Sequence, residues 1–276
     1  MSRRATARRT LLAPVLAAVL VLVPAGTASA SPRSAQAPPR PAALPSLADL
    51  LRGTGLVDVL SQLLQVPTQP SVGSLPGPVV SKVAASTVKV SSVACGSRVE
   101  GSGFSPAADT VVTNAHVVAG STRTEVLRPD GRRLPAEVQV FDPARDLAVL
   151  SVPNLGEQPL GLGSAVTGGS GAVFGHPQGQ APIEVSPALV VRRVAATTSD
   201  IYGQGRYSRQ ILVLASRLEP GDSGGPLVNQ AGEVVGVAFA VSAVRATTAF
   251  AIPSETVAPV LAQPRTGAVS TGACLG

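Results

Sequence analysis

Aromatic residues, metal ligands and long apolar runs are all scarce in this 276-residue chain. Tryptophan is absent and aromatic residues make up 3% of the sequence, so the stacking surfaces of single-strand nucleic-acid binders are not expected. The two histidines and two cysteines are too few for the usual ligand sets of a transition-metal centre, and the sequence implies no metal and no cofactor. With 45% hydrophobic residues, the chain can still build a substantial core.

The net charge of +6 comes mainly from the N-terminus. Four arginines lie within the first nine residues, and without them 18 basic residues face 16 acidic ones. The arginine pairs at 132–133 and 192–193 have no aromatic neighbours that could stack on nucleobases. We therefore expect no nucleic-acid partner.

The first 30 residues have the composition of a signal peptide. A basic start is followed by an apolar run, Leu11 to Val23, whose about 13 residues fall short of the roughly 20 that a membrane-spanning helix needs. Ala28-Ser29-Ala30 then provides a small-x-small site for signal peptidase. We expect a mature protein beginning at Ser31 that is secreted, periplasmic or held in the cell envelope. Membrane association is expected only if the signal segment is retained.

The two cysteines, Cys95 and Cys274, are an even number in a chain that we expect to be exported, which favours a disulfide. Such a bond would close a loop of about 180 residues and attach the C-terminal tail to the start of the folded domain, with a stabilisation of roughly 5 kcal/mol at most. The alternative is a pair of free buried thiols. The position of Cys274 close to the chain end disfavours burial.

Residues 31–79 differ in composition from the rest of the chain. Residues 31–45 are rich in proline and alanine and predict an extended linker. From Ser46 to Gln65, leucine and valine recur at spacings of three and four, which predicts short helices. A pro-segment, a membrane-surface helix, a packing helix and a spacer all fit this pattern. A second proline- and glycine-rich stretch leads to a domain boundary near residue 80, and we expect the main domain over residues 80–276.

Beyond residue 80 the pattern changes to short apolar runs bounded by turn residues. They predict strands at 86–93, 110–113, 136–140, 147–152 and 172–175, then at 183–194, 210–215, 226–228, 234–241 and 247–252. Residues 255–262 predict a closing helix. Many short strands without alternating helices indicate an all-β domain, built either as a sandwich or as barrels.

Gly221-Asp222-Ser223-Gly224-Gly225-Pro226 is the most specific motif in the chain. A serine hydroxyl is a weak nucleophile, so it needs a neighbouring base and donors aimed at the oxyanion of its transition state. Glycines permit the turn that exposes the serine, and we predict that the backbone N–H groups of Gly221 and Ser223 form an oxyanion hole. The alternative is a plain glycine-rich turn between strands.

A nucleophilic serine requires a base, and the two histidines differ in their surroundings. His116 comes at the end of a predicted strand, where its ring can be held in place. His176 precedes a proline and is interpreted as a turn or rim residue. We predict that His116 is the general base.

The residue that orients the base is either Asp142 or Asp146. Asp146 directly precedes the apolar run Leu147-Ala148-Val149-Leu150 and is favoured, whereas Asp142 precedes a proline and indicates a turn. The order His, Asp, Ser along the chain is that of chymotrypsin and differs from the orders in subtilisin and the α/β-hydrolases.

Three motifs in this order resemble the trypsin-like serine proteases: residues 113–118 (TNAHVV), 146–150 (DLAVL) and 221–226 (GDSGGP). The chain is most similar to the mycobacterial acid-resistance periplasmic serine protease group of actinobacteria. That closer similarity rests on residues 101–104 (GSGF), 174–177 (FGHP) and 272–274 (GAC), and the resemblance covers residues 80–276.

The resemblance implies two six-stranded antiparallel β-barrels with a cleft between them. It places His116 and Asp146 on the first barrel and Ser223 on the second, and it implies a disulfide between Cys95 and Cys274. Members of the group carry several transmembrane helices before the protease, whereas this chain has one short signal-like segment. The resemblance therefore gives no expectation of membrane integration.

The pocket for the substrate side chain is expected beside Phe239 and Ala240, with Arg217 near its floor. An acid at the floor would select lysine or arginine substrates, and none is present. We therefore expect small or aliphatic side chains before the scissile bond.

Together these features predict a monomeric, secreted serine endopeptidase that acts on proteins or peptides. One alternative is a membrane-tethered regulatory protease with limited or self-cleavage. The other is a non-catalytic protease-like protein that binds partners through its cleft.

Overall fold

The computed structural model describes residues 75–242 and 245–275. The predicted signal peptide, linker and helical segment lie outside the described residues, and the domain boundary near residue 80 stays a prediction. Helix α1 (Gly77–Ala85) begins the described chain, with prolines flanking its first residue, where a missing N–H is harmless. Within the described ranges, no helix is both long enough and apolar enough to cross a membrane.

The first barrel consists of six antiparallel strands, closed by pairing between β1 and β4. Its strands are β1 (Thr87–Ala94), β2 (Ser97–Ala107), β3 (Thr110–Thr113), β4 (Ser121–Leu127), β5 (Arg133–Asp142) and β6 (Leu147–Ser151). Their spatial order is β1-β2-β3-β6-β5-β4. A one-turn helix, α2 (Ala115–Val118), connects β3 to β4.

The second barrel also has six antiparallel strands and is closed by pairing between β7 and β10. Its strands are β7 (Ser170–Gly175), β8 (Glu184–Thr198), β9 (Tyr207–Ala215), β10 (Pro226–Asn229), β11 (Val234–Val241) and β12 (Thr248–Pro253). Helix α3 (Ser254–Leu261) follows the last strand. The prediction of an all-β fold with two six-stranded barrels and a short C-terminal helix is confirmed.

Alternate side chains on a strand pack into two different clusters, one inside a barrel and one shared between the two barrels. On β6, Ala148 and Leu150 pack in a cluster made only of first-barrel residues. Leu147 and Val149 point the opposite way, into a cluster that also contains side chains of the second barrel and of both flanking helices. Because β6 is buried on both faces, its sequence reads as a continuous apolar run. The shared cluster holds the two barrels against each other.

Cys95 and Cys274 form a disulfide with Cα atoms 6.1 Å apart and a sequence separation of 179. Within the described residues no cysteine is free, so the alternative of two free thiols is wrong. The tail that carries Cys274 lies against the segment after α2, where the Gly120 N–H donates to the Thr271 carbonyl oxygen over 3.0 Å. The bond therefore ties the C-terminal tail to the first barrel, beside the helix that carries His116.

Candidate active site

His116 and Asp146 are in direct contact on the first barrel. Nδ1 of His116 lies 2.9 Å from Oδ2 and 3.0 Å from Oδ1 of Asp146. The backbone N–H of His116 also donates to Oδ1 over 3.0 Å. A carboxylate can only accept, so this contact keeps a proton on Nδ1 and leaves Nε2 as the acceptor for another proton.

The backbone around Asp146 aims its carboxylate at the helix. Asp146 has φ 55°, a left-handed conformation that aspartate tolerates better than most residues. Its carbonyl oxygen accepts a hydrogen bond of 2.8 Å from Nδ2 of Asn114, the residue just before α2. Asp146 is buried, with its backbone held by Asn114 and its carboxylate held against His116.

Asp142 has a different partner. Its Oδ2 lies 2.6 Å from Nη1 of Arg145, and its Oδ1 accepts the Arg145 N–H over 2.8 Å. These contacts close the turn between β5 and β6. The structure thus places Asp146, and not Asp142, against the imidazole of His116, and the role of Asp146 in orienting the base stays a prediction.

Ser223 belongs to a turn of the second barrel that presses on the first barrel. Strand β2 passes beside it because residue 101 is glycine: a Cβ there would lie 2.7 Å from Cγ2 of Val117 and 3.0 Å from the Ser223 carbonyl oxygen. Gly224, with φ 88°, lies so close to Ser102 and Thr113 that a Cβ at this position would overlap both residues. The structure therefore brings Ser223 to the strands that flank the His116 helix.

The N–H groups of Gly221 and Ser223 have no acceptor within residues 75–242 and 245–275. The N–H groups of the next residues do have acceptors. The Asp222 N–H donates to the Glu219 carbonyl oxygen over 3.1 Å, and the Gly224 N–H donates to the Ala238 carbonyl oxygen over 2.8 Å. Ser223 is only partly buried, so these two N–H groups are free to donate hydrogen bonds to an oxyanion that forms beside it.

Asp222 is a buried acid with no cationic partner in the described part of the chain. Its Oδ2 accepts the Glu219 N–H over 2.8 Å. Burial raises the pKa of Asp222 from 3.8 to about 6, and the negative charges of Glu184 and Glu219 add to the increase. Ionising this carboxyl in the folded protein therefore costs free energy.

The Asp222 carboxyl should make stability fall as the pH rises from about 4 to about 6. In that window the folded protein holds a proton that the unfolded chain has released, so ionisation lowers the free energy of unfolding by at most about 3 kcal/mol. Asp222→Asn is neutral and keeps an acceptor for the Glu219 N–H. We expect it to raise the free energy of unfolding at pH 8 by up to about 3 kcal/mol and to change it little at pH 4.

Urea unfolding of wild type and Asp222→Asn at both pH values measures this effect. Glu137→Gln, at an exposed position on β5, is the matched control and should shift neither value. An equal change for Asp222→Asn at pH 4 and pH 8 would contradict the assignment.

His176, interpreted from the sequence as a turn or rim residue, and the residues predicted for the specificity pocket lie near the serine turn but differ in exposure. His176 is buried, with Nδ1 3.1 Å from the Gln180 carbonyl oxygen, and burial lowers its pKa. Phe239 and Ala240 are buried on β11, whereas the side chain of Arg217 is exposed. Their role in a specificity pocket stays a prediction.

Sequence reasoning missed Ser102 and Asn114 as parts of this site. Asn114 contacts Asp146 as described, and Ser102 contacts the Gly221–Ser223 turn. The available signal was the placement of Ser102 between two glycines, in the sequence Gly101-Ser102-Gly103. That spacing allows close backbone approach on both sides of the serine.

Comparison with known proteins agrees with this geometry. The trypsin-like peptidase domain family matches residues 101–237. Serine protease Rv3671c of Mycobacterium tuberculosis is 37% identical over 239 residues, covering 83% of this chain. Putative serine protease HhoB of Synechocystis is 34% identical over 160 residues, covering 56% of this chain and 38% of the relative. This chain spans 60% of the length of the mycobacterial relative.

A solved structure extends the comparison to three dimensions. The crystal structure of the active form of the Rv3671c protease superposes with a TM-score of 0.71 at 36% identity. The match covers 78% of this chain and 98% of that structure. The chain therefore belongs to the family of trypsin-like serine peptidases.

Proposed function

We propose that this chain is an exported serine endopeptidase that cuts peptide bonds through an acyl-enzyme on Ser223. The observation that carries the proposal is the hydrogen-bonded pair of a partly buried His116 and a buried Asp146, beside a serine turn with two N–H donors that have no acceptor in the described chain. In this proposal Ser223 is the nucleophile, His116 the general base and acid, and Asp146 the residue that orients the imidazole.

Acylation begins when Oγ of Ser223 attacks the carbonyl carbon of the scissile peptide bond. Nε2 of His116 takes the hydroxyl proton, and the negative Asp146 stabilises the imidazolium that forms. The carbonyl oxygen becomes an oxyanion and accepts hydrogen bonds from the N–H groups of Gly221 and Ser223. The tetrahedral intermediate then breaks its C–N bond, and the leaving amine receives the proton from His116.

Deacylation repeats the same chemistry with water. His116 removes a proton from a water molecule as that water attacks the ester carbon, and the second oxyanion uses the same two N–H donors. Collapse releases the new carboxyl group, and the proton returns from His116 to Oγ of Ser223. No metal or other cofactor enters either half of the reaction.

Substrates are proposed to be proteins or peptides with a small or aliphatic residue before the scissile bond. Support comes from the apolar side chains of Phe239 and Ala240, which are buried on β11. Residue 217 is an exposed arginine, so no acidic side chain at this position attracts a basic substrate. We propose that the protein works as a monomer outside the cytoplasm after removal of residues 1–30.

A fluorophosphonate probe tests the proposed function directly. Oγ of an activated serine displaces fluoride from phosphorus, so one probe adduct should appear in the intact mass of the oxidised protein. Peptide mapping should place the adduct on Ser223. Ser223→Ala should abolish labelling, whereas Ser208→Ala, at an exposed serine on β9, should label like wild type.

A wild-type protein that stays unlabelled would overturn the proposed function. It would leave a protease-like protein that binds partners without cutting them. Labelling that survives Ser223→Ala would place the nucleophile elsewhere.

A further inference from the structure

We propose that Ser102, together with the turn at Pro177–Gly179, holds the Gly221–Ser223 turn in the conformation that donates to the oxyanion. Both are positioning elements that act through the backbone of the nucleophile turn. The inference rests on the proposed function, because it assigns a role in that reaction to residues outside the His116, Asp146 and Ser223 set.

Every carbonyl oxygen from residue 220 to residue 223 accepts a hydrogen bond. The Gln178 N–H donates to the oxygen of Pro220 over 2.5 Å, and the Gly225 N–H donates to that of Asp222 over 2.9 Å. The other two carbonyls, of residues 221 and 223, both accept from Ser102. In a trans peptide the C=O and N–H point in opposite directions, so the bonds to the Pro220 and Asp222 carbonyls orient the Gly221 and Ser223 N–H groups directly. The two bonds from Ser102 fix the peptides that follow each of these, Gly221–Asp222 and Ser223–Gly224, and so hold the backbone on both sides of the Asp222–Ser223 peptide.

Ser102 uses all of its polar groups at this contact. Its hydroxyl donates to the Gly221 carbonyl oxygen over 2.7 Å and accepts the His176 N–H over 2.9 Å. Its own N–H donates to the Ser223 carbonyl oxygen over 2.7 Å, and its carbonyl oxygen accepts the Thr113 hydroxyl over 2.7 Å. Since the Ser102 side chain is fully buried, water cannot replace a lost partner.

The turn at Pro177–Gly179 fixes the peptide that carries the Gly221 N–H. Gln178 has φ 53°, a left-handed conformation that directs its N–H at the Pro220 carbonyl. Gly221 packs so closely on this turn that a Cβ would lie 2.9 Å from the Gln178 nitrogen and would overlap the His176 carbonyl oxygen. The Pro220–Gly221 peptide therefore has no room to rotate while the turn stays in place.

The first barrel holds this turn in place. Nζ of Lys89, on β1, donates to the carbonyl oxygen of Gly179 and forms an ion pair with Oε1 of Glu100 at 2.8 Å. Lys89 is buried and Glu100 is partly buried. The oxyanion donors of the second barrel are thus oriented by β1 and β2 of the first, through residues 74 to 119 positions away in sequence.

Steady-state kinetics of Ser102→Ala on a peptide substrate test the proposal. Removing the hydroxyl frees the Gly221–Asp222 peptide, which lies between the two peptides that carry the N–H donors, so both donors should lose alignment. We expect kcat to fall about 10- to 100-fold, less than the loss of a whole oxyanion donor, while KM changes less than about twofold. Affinity for a peptide aldehyde should fall by the same factor as kcat/KM, because its hemiacetal oxyanion uses the same donors.

Ser105→Ala is the matched control. Ser105 is also fully buried on β2, but its hydroxyl donates within the same strand, to the Ala107 carbonyl oxygen. Its kcat/KM and aldehyde affinity should stay within about twofold of wild type, even if its unfolding temperature falls as much as that of Ser102→Ala. A lower unfolding temperature alone therefore does not produce the expected kinetic signature.

Two results would overturn the inference. One is a Ser102→Ala enzyme with kcat/KM within about twofold of wild type, and the other is a loss that comes from KM alone. If Ser102→Ala does not fold, Lys89→Met tests the inference instead, with exposed Lys82→Met as its control. A lower kcat at unchanged KM for Lys89→Met supports the inference, and activity equal to that of Lys82→Met overturns it. An inactive, unlabelled wild type removes the proposed function itself, whereas an active wild type with unaffected variants removes only this inference.

Discussion

Replacing His116 with alanine is expected to lower kcat for peptide hydrolysis by about a millionfold. The serine hydroxyl is a weak nucleophile unless a base removes its proton, and His116, whose ring contacts the carboxylate of Asp146, is the proposed base. The same variant should also lose fluorophosphonate labelling. The measurement is single-turnover and steady-state hydrolysis of one peptide, with wild type diluted to give comparable rates.

The control for this prediction is the double variant His116→Ala/Ser223→Ala. Residues that act as one unit are strongly non-additive, so the double variant should be no slower than either single variant. Additive losses would mean that His116 and Ser223 work independently. A single His116→Ala variant within about 100-fold of wild type would rule out its role as the base.

Asp146→Asn is expected to lower kcat about ten-thousandfold with little change in the fold. An asparagine amide can donate to Nδ1 of His116, which would place the imidazole proton on Nε2 and remove the acceptor that Ser223 needs. Asparagine tolerates the left-handed φ of 55° at this position, so backbone strain is not added. The rate is measured with the same peptide, alongside far-ultraviolet circular dichroism.

Asp142→Asn is the matched control for Asp146→Asn. Asp142 bonds to Arg145 in the turn before β6 and has no hydrogen bond to His116 in the described chain. Its variant should keep kcat within about threefold of wild type. Comparable losses in the two variants would contradict the assignment of Asp146 as the orienting residue.

Strands with strongly apolar sequences were predictable, and polar strands were not. Strands β3 and β11 begin and end where their apolar runs do, at 110–113 and 234–241. Strand β2 escaped prediction because its glycines and charges give it low strand propensity, and pairing with β1 along its first eight residues holds it extended. Strand β4 reads as polar for a similar reason: of its seven residues only Thr124, Val126 and Leu127 are buried.

The residues proposed to do the chemistry could be singled out from their types, whereas those proposed to position them could not. A base, an acid and a serine in glycine-rich surroundings can be recognised along the chain, and Asp146 was distinguishable from Asp142 by the apolar run that follows it. Ser102 is a small polar residue on a strand, and its role depends on partners up to 119 residues away. Which backbone carbonyl such a residue meets is determined only when the two barrels pack together.

The division of the site between two barrels also sets an order of events during synthesis and export. His116 and Asp146 belong to the barrel that emerges first, whereas Ser223 is followed by β11 and β12, which the second barrel needs before it can close. Domains generally fold as units from the N-terminus as the chain emerges. If His116 and Ser223 act as proposed, a half-emerged chain carries the proposed base without the proposed nucleophile, and it would cut no peptide bond in itself or in neighbouring nascent chains until nearly all of it has emerged.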